Sequence, residues 1–271
     1  MKFVRFYLAV LFFPLALSAQ TLVDLAFNNP VEGTNVAGTG PTGAAYTGTT
    51  YHFLNVAPGY DLRATITSFG SVQFLYSYPN YSSASGEPSG DLGYRYQANS
   101  AGLGGINYKL DFFESGGAFD TAKVLPDLAL MIYDVDGEPS QDESVRAYLS
   151  DGFYGFRMPT ATGATTFVNE GSSFRFTGPG SNRNEDDPSG AFILYFENTS
   201  SLTLQMLSDT DSSSGFPNPV FSAIDGDLSL IGKNLANFTG IQMVPEPSVG
   251  SLFVVGAAWV LGRRRKALNI R

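Results

Sequence analysis

Ten segments of five to eight residues, each rich in Val, Ile, Leu, Phe, Tyr or Thr, recur along this chain between clusters of Gly, Pro, Asn, Asp and Ser. They are YHFLNV (51–56), LRATITSF (62–69), SVQFLY (71–76), INYKLDFF (106–113), LALMIYD (128–134), SVRAYL (144–149), SFRFT (173–177), AFILYFE (191–197), LTLQML (202–207) and FTGIQM (238–243). Short apolar runs punctuated in this way read as β-strands. In INYKLDFF, Ile106, Tyr108, Leu110 and Phe112 alternate with Asn107, Lys109 and Asp111, so one face meets a core and the other meets water. AFILYFE is apolar on both faces and suits the centre of a sheet.

Nowhere between the two ends does an apolar spacing of three and four persist for a dozen residues, and 30 glycines with 15 prolines would interrupt most helices. The predicted fold is therefore all-β: an antiparallel β-sandwich of jelly-roll-like form, two packed sheets with long loops. The loops are expected at Asn28 to Thr50, Pro79 to Gly93 and Pro179 to Gly190 (PGSNRNEDDPSG). No fixed-period repeat is present, which argues against propellers and solenoids. Two smaller sandwiches meeting near residue 120 are the alternative arrangement.

With no cysteine, neither disulfides nor thiolate zinc sites can hold such a domain, and stability must come from a buried core. From Gln20 to Pro247 the chain has nine Lys and Arg against all 25 Asp and Glu, a formal charge of −16 compared with −9 for the whole sequence. That surface repels phosphates, so nucleic acid is not an expected partner. The same field attracts cations and keeps a protein dispersed.

The two ends carry an address. MKFVRFYLAVLFFPLALSAQ places Lys2 and Arg5 before an apolar run from Phe6 to Leu17, followed by Ser18 and Ala19. This is the order of a secretory signal peptide over residues 1–19, with a cut after Ser18 as the alternative to one after Ala19. Its apolar run falls well short of the roughly 20 residues of a membrane-spanning helix. At the other end Val244-Pro245-Glu246-Pro247 precedes an uncharged stretch from Ser248 to Gly262, and then Arg263, Arg264, Arg265 and Lys266. As a helix that stretch would be about 22 Å long, against a hydrocarbon core of about 30 Å. The basic cluster would stay in the cytoplasm as a stop-transfer signal, with residues 267–271 beyond it and the acidic body outside.

Pro245, Glu246 and Pro247, the apolar segment and the arginine cluster together resemble the PEP-CTERM sorting signal of Gram-negative bacteria, over Val244 to Lys266 only. The resemblance implies that exosortase, a membrane-embedded enzyme, reads and cuts the signal, leaving the body in the envelope or extracellular matrix, often where exopolysaccharide is made. Proline has no amide hydrogen and biases the preceding residue toward extended backbone. Pro245 and Pro247 would therefore present a non-helical strand beside the membrane. The expected organisation is a leader (1–19), an exported β-sandwich domain (20–243) and a sorting signal (244–266) anchored in the membrane by a short helix before processing.

Within the body, IYDVDGEPSQDES places Asp134, Asp136, Gly137 and Glu143 at positions 3, 5, 6 and 12 of an EF-hand-like register, although Ile132 occupies the first position and no flanking helices are predicted. Two readings follow: a calcium ion held by Asp134, Asp136 and Glu143, or a solvated hairpin built from common turn residues. His52, the only histidine, lies in a predicted strand, which disfavours a histidine triad. No catalytic residue is assigned; a glycan-active hydrolase, whose carboxylate pair sequence cannot place, is the enzymatic alternative. The body has 13 tyrosines and no tryptophan, since Trp259 lies in the tail. Tyr76, Tyr78 and Tyr81, with Tyr94 and Tyr96 on one side of a further candidate strand, could form a sugar-stacking platform or could pack as core. The expected function is a non-enzymatic structural or interaction module of the envelope or matrix, with a polysaccharide-binding, lectin-like module as the alternative.

Overall fold

A computed structural model describes residues 22–28, 30–32, 49–82, 90–185 and 187–244. The expected signal peptide and the part of the expected sorting signal beyond Val244 lie outside the described residues. The strands are β1 (Pro30–Glu32), β2 (Thr49–Ala57), β3 (Tyr60–Phe69), β4 (Val72–Tyr81), β5 (Asp91–Ala98), β6 (Gly102–Glu114), β7 (Leu125–Tyr133) and β8 (Gln141–Tyr148). They continue with β9 (Phe153–Arg157), β10 (Thr166–Asn169), β11 (Ser173–Thr177), β12 (Phe192–Thr199), β13 (Ser201–Thr210), β14 (Asn218–Asp225) and β15 (Gln242–Met243).

Two antiparallel sheets result, in the order β1-β2-β3-β6-β13-β8-β11-β10 and β15-β9-β12-β7-β14-β5-β4. One apolar cluster joins their facing sides. Leu62, Ala64 and Ile66 of β3, Ile106 to Phe112 of β6 at alternate positions, and Leu202, Leu204 and Met206 of β13 meet Leu128, Leu130 and Ile132 of β7 and Phe192, Leu194 and Phe196 of β12. Phe176 of β11 stacks on Phe192 across the gap, with ring centroids 4.7 Å apart and planes 13° from parallel. β6 pairs with β13 and β5 with β14, so strands from both sides of residue 120 are interleaved in each sheet. This corrects the two-sandwich alternative: the pairing partners lie on opposite sides of the proposed boundary.

The two outer faces differ. On the first sheet, Lys109 and Arg63 flank Asp111 at 2.8 and 3.5 Å, and Glu170 joins Arg146 and Arg175 at 2.6 and 3.3 Å. On the second, Ala129, Met131, Tyr133, Ile193, Tyr195 and Ala223 are apolar and are covered by Leu228 and Phe238 of the segment following β14. AFILYFE is thus apolar on both faces because both are covered, and β12 lies inside its sheet between β9 and β7. The expected strand at 238–243 shrinks to Gln242–Met243, since Phe238 turns its ring onto that outer face. The expected loop from Pro79 is also shorter, because β4 runs on to Tyr81; as the sheet's edge strand it can accommodate a residue without an amide donor.

Candidate functional site

Inward-facing positions of β8 alternate along the chain: Val145 and Ala147 enter the core, and by the same parity Glu143 and Gln141 face inward nearer the end of the sandwich. Opposite them on β13, Met206 pairs with Val145 and Ser208 with Glu143. The apolar interior therefore gives way to a polar end.

Connecting β7 to β8 is a crossing from one sheet to the other, which carries Asp134 and Asp136. The tight turn of the run is confined to Glu138–Gln141, whose N–H and carbonyl groups bond reciprocally at 2.9 Å, while Val135, Asp136 and Glu143 are buried rather than solvated. Asp134 sits in the left-handed region at φ 58°, a conformation an Asp tolerates better than most side chains. Gly137, at φ 73°, has no room for a side chain, because a Cβ would lie 2.7 Å from the Gln141 carbonyl oxygen. The loop expected from Pro179 to Gly190 closes over this crossing. Gly178 N–H donates to the Glu143 carbonyl (2.9 Å) and Gly180 N–H to that of Asp136 (2.7 Å). Val135 N–H donates to the Gly190 carbonyl (2.9 Å), and Arg183 N–H donates to the Asp136 carboxylate. Gly178 is required at this approach, since a Cβ there would come within 2.4 Å of the Val135 oxygen.

Together these elements enclose a cavity of about 600 Å³ lined by Asp134, Asp136 and Glu143, the loop residues Asn182 to Glu185, and Pro219 and Phe221 of β14. Phe221 lies on the covered outer side of its sheet against Tyr81, with ring centroids 5.1 Å apart, and Tyr81 OH donates to Glu185 at 2.7 Å. Glu143 comes from the inner side, so the cavity takes walls from both faces of the sandwich.

Desolvation dominates the electrostatics. Burial, then the charges of Asp136 and Glu185, pushes Asp134 up to about 7. Glu143 is only 8% exposed, and burial followed by repulsion from Asp136 and Asp134 raises it well above the carboxylate range. Asp136 is raised by burial too, although the Arg183 N–H opposes the shift. Two polar atoms at the cavity are buried without a hydrogen-bond partner: Glu143 Oε2 and Arg183 Nε.

The three acidic residues singled out by the sequence do share this cavity. Among the described residues, however, no group of three or more His, Cys, Asp or Glu side chains is placed to hold a metal ion. The Asp136 carboxylate is taken up by the Arg183 backbone N–H, and the backbone at Asp136 and Gly137 hydrogen-bonds the Glu143 carboxyl. Asn182, Arg183, Glu185 and Phe221 were missed. The first three lay in a segment expected only to be a polar loop, and Phe221 in a segment for which no strand was expected.

The tyrosine platform is also corrected. Tyr94 and Tyr96 are fully buried in the core, where Tyr96 OH donates to the Leu207 carbonyl (3.1 Å) and Tyr94 OH to Met206 Sδ (3.2 Å). Tyr76 is buried and accepts from Arg95 Nη1 at 3.1 Å, while the Tyr78 side chain lies outside the described residues. The rings fill the interior because each hydroxyl finds a partner there. His52 stacks on Phe119 at 4.3 Å beside Arg63 of the neighbouring strand, a packing role.

Val244 is the one sorting-motif residue described. It is buried, and its N–H donates to the Tyr154 carbonyl at 2.8 Å, next to the pairing of β15 with β9. Pro245, Glu246 and Pro247, and Arg263, Arg264, Arg265 and Lys266, lie outside the described residues. No described helix is long and apolar enough to cross a membrane. Compared with known proteins, the chain matches no family model and no curated sequence.

Proposed function

We propose that this chain is an exported protein of a Gram-negative cell envelope or extracellular matrix, sorted and cut by exosortase, whose β-sandwich serves as a structural or interaction module. The observation that carries the reading is the position of the motif relative to the fold. β15 ends at Met243 and Val244 makes its hydrogen bond to Tyr154; Pro245-Glu246-Pro247 begins at the next residue. A cut within the motif after Val244 removes no described strand, and the released sandwich keeps both sheets and its core.

The body's composition suits an exported module. Its charge of −16 between Gln20 and Pro247 favours dispersion outside the cell. Exosortase is the processing partner in this proposal, and the membrane is a partner only until the cut.

Intact-mass measurement of the protein recovered from the envelope tests the proposal. The expected mass lacks both the leader and the segment containing Trp259. Glu246→Ala should raise the fraction retaining the tail, and a mature form still carrying Arg263 to Lys266 would contradict the processing.

A further inference from the structure

We propose that the cavity bounded by Glu143, Arg183 and Phe221 binds an uncharged sugar residue of a polysaccharide. This site is distinct from the buried tyrosines, and its existence does not depend on how the tail is processed. The argument starts from the two unpartnered atoms. Glu143 and Arg183 both line the cavity; Glu143 is more than nine-tenths buried, and its Oε2 and the Arg183 Nε are closed off from water without a hydrogen-bond partner. Leaving either atom desolvated and unpaired is costly, so both favour a ligand whose entry opens them and supplies partners. One needs a hydrogen-bond partner at a carboxyl oxygen and the other needs an acceptor. A sugar hydroxyl offers donor and acceptor together, and adjacent hydroxyls can serve both sites.

Other ligand classes satisfy only part of this demand. An ammonium group has no acceptor for Arg183. A uronate or phosphate would meet Asp134, Asp136, Glu143 and Glu185 against the single cation Arg183, whose ion pair with Asp187 spans 4.0 Å. A metal ion lacks a converging set of ligands among the described residues. Exposed Asn182 and Asn184 add neutral amides at the rim, and Phe221 adds an aromatic wall against which the apolar face of a sugar ring can lie. The volume of about 600 Å³ falls within the usual span for small-ligand sites, roughly 300–1,000 Å³.

Saturation-transfer NMR on the full-length chain, held in a zwitterionic detergent without a sugar headgroup, tests the site. The probes are neutral gluco-, galacto-, manno- and N-acetylglucosamine oligosaccharides, glucuronate, and glucosamine, each with EDTA and with added calcium. At least one neutral oligosaccharide should give a signal in EDTA, unchanged in Asp142→Asn, whose exposed side chain lies outside this cavity. Binding should weaken at least about tenfold in Glu143→Leu and in Arg183→Met, the scale expected for losing a hydrogen bond whose partner is then left desolvated. Thermal melting verifies that each variant folds; Asn182→Ala/Asn184→Ala, at exposed positions, provides the same test with little risk to folding. The proposal is overturned by silence from every neutral oligosaccharide, by a signal restricted to glucuronate or to glucosamine, by one appearing only with calcium, or by binding that survives all the folded site variants.

Discussion

Asp61 is fully buried, yet each carboxylate oxygen is engaged by backbone: Oδ1 accepts from Asn55 N–H (2.8 Å), and Oδ2 from Gly116 (2.9 Å) and Gly117 (2.7 Å). One side chain on β3 thereby fixes a bulge in β2 and the turn after β6. Asp61→Ala should lower stability by about 3 kcal/mol, measured by urea unfolding, because it strands buried donors as well as removing charge-assisted bonds. Asp134 acts in the opposite sense. Its folded pKa of about 7 exceeds the ordinary carboxylate value of 3.8, so between those values the folded protein retains a proton that the unfolded chain has released. Glu143 shifts in the same direction. The stabilising contribution is complete at pH 3.8 and below and is lost as pH rises through 7. Melting temperatures followed by circular dichroism should fall across that window, and Asp134→Asn should flatten the decline.

Among the strands, β11 and β12 show how the two sheets are locked together. Phe176 stacks on Phe192 and also makes edge contacts with Phe153 and Phe156, at 6.2 and 5.1 Å between centroids. Phe176→Ala should cost about 3–5 kcal/mol, read from the denaturant midpoint, since a closely packed interior cannot collapse into the gap. Strand content was legible wherever a segment had one buried face, as in INYKLDFF. It was less legible in β10, whose four residues are all exposed and which owes its conformation to pairing with β11. β14 begins with Asn218-Pro219, a turn signal by local chemistry, and is drawn into the sheet by its pairing with β5 and β7.

Across the molecule, unbalanced acidity opposes compaction. Carboxylates exceed basic groups by 16 between Gln20 and Pro247, so the nine cations cannot neutralise the 25 acids even when paired. Raising sodium chloride from low salt to 0.5 M should therefore raise the melting temperature by a few degrees, because the Debye length falls below about 5 Å and self-repulsion is screened. A fall with salt would mean that the ion pairs on the first sheet's outer face outweigh the net charge.

Sequence alone determined the all-β character, the need for a disulfide-free core and the presence of two address-like ends, because strand periodicity, cysteine content and end composition are local properties. It also marked Asp134, Asp136 and Glu143, whose spacing around Gly137 is visible within a single turn. Tertiary structure alone decided their surroundings. Arg183, 47 positions from Asp136, reaches it only because Gly178 and Gly180 hydrogen-bond the loop to the crossing between sheets. The same packing buried Tyr94 and Tyr96 and left Glu143 Oε2 unpartnered. Burial and hydrogen-bond satisfaction depend on which distant strands meet, and that is a property of the whole core rather than of any segment.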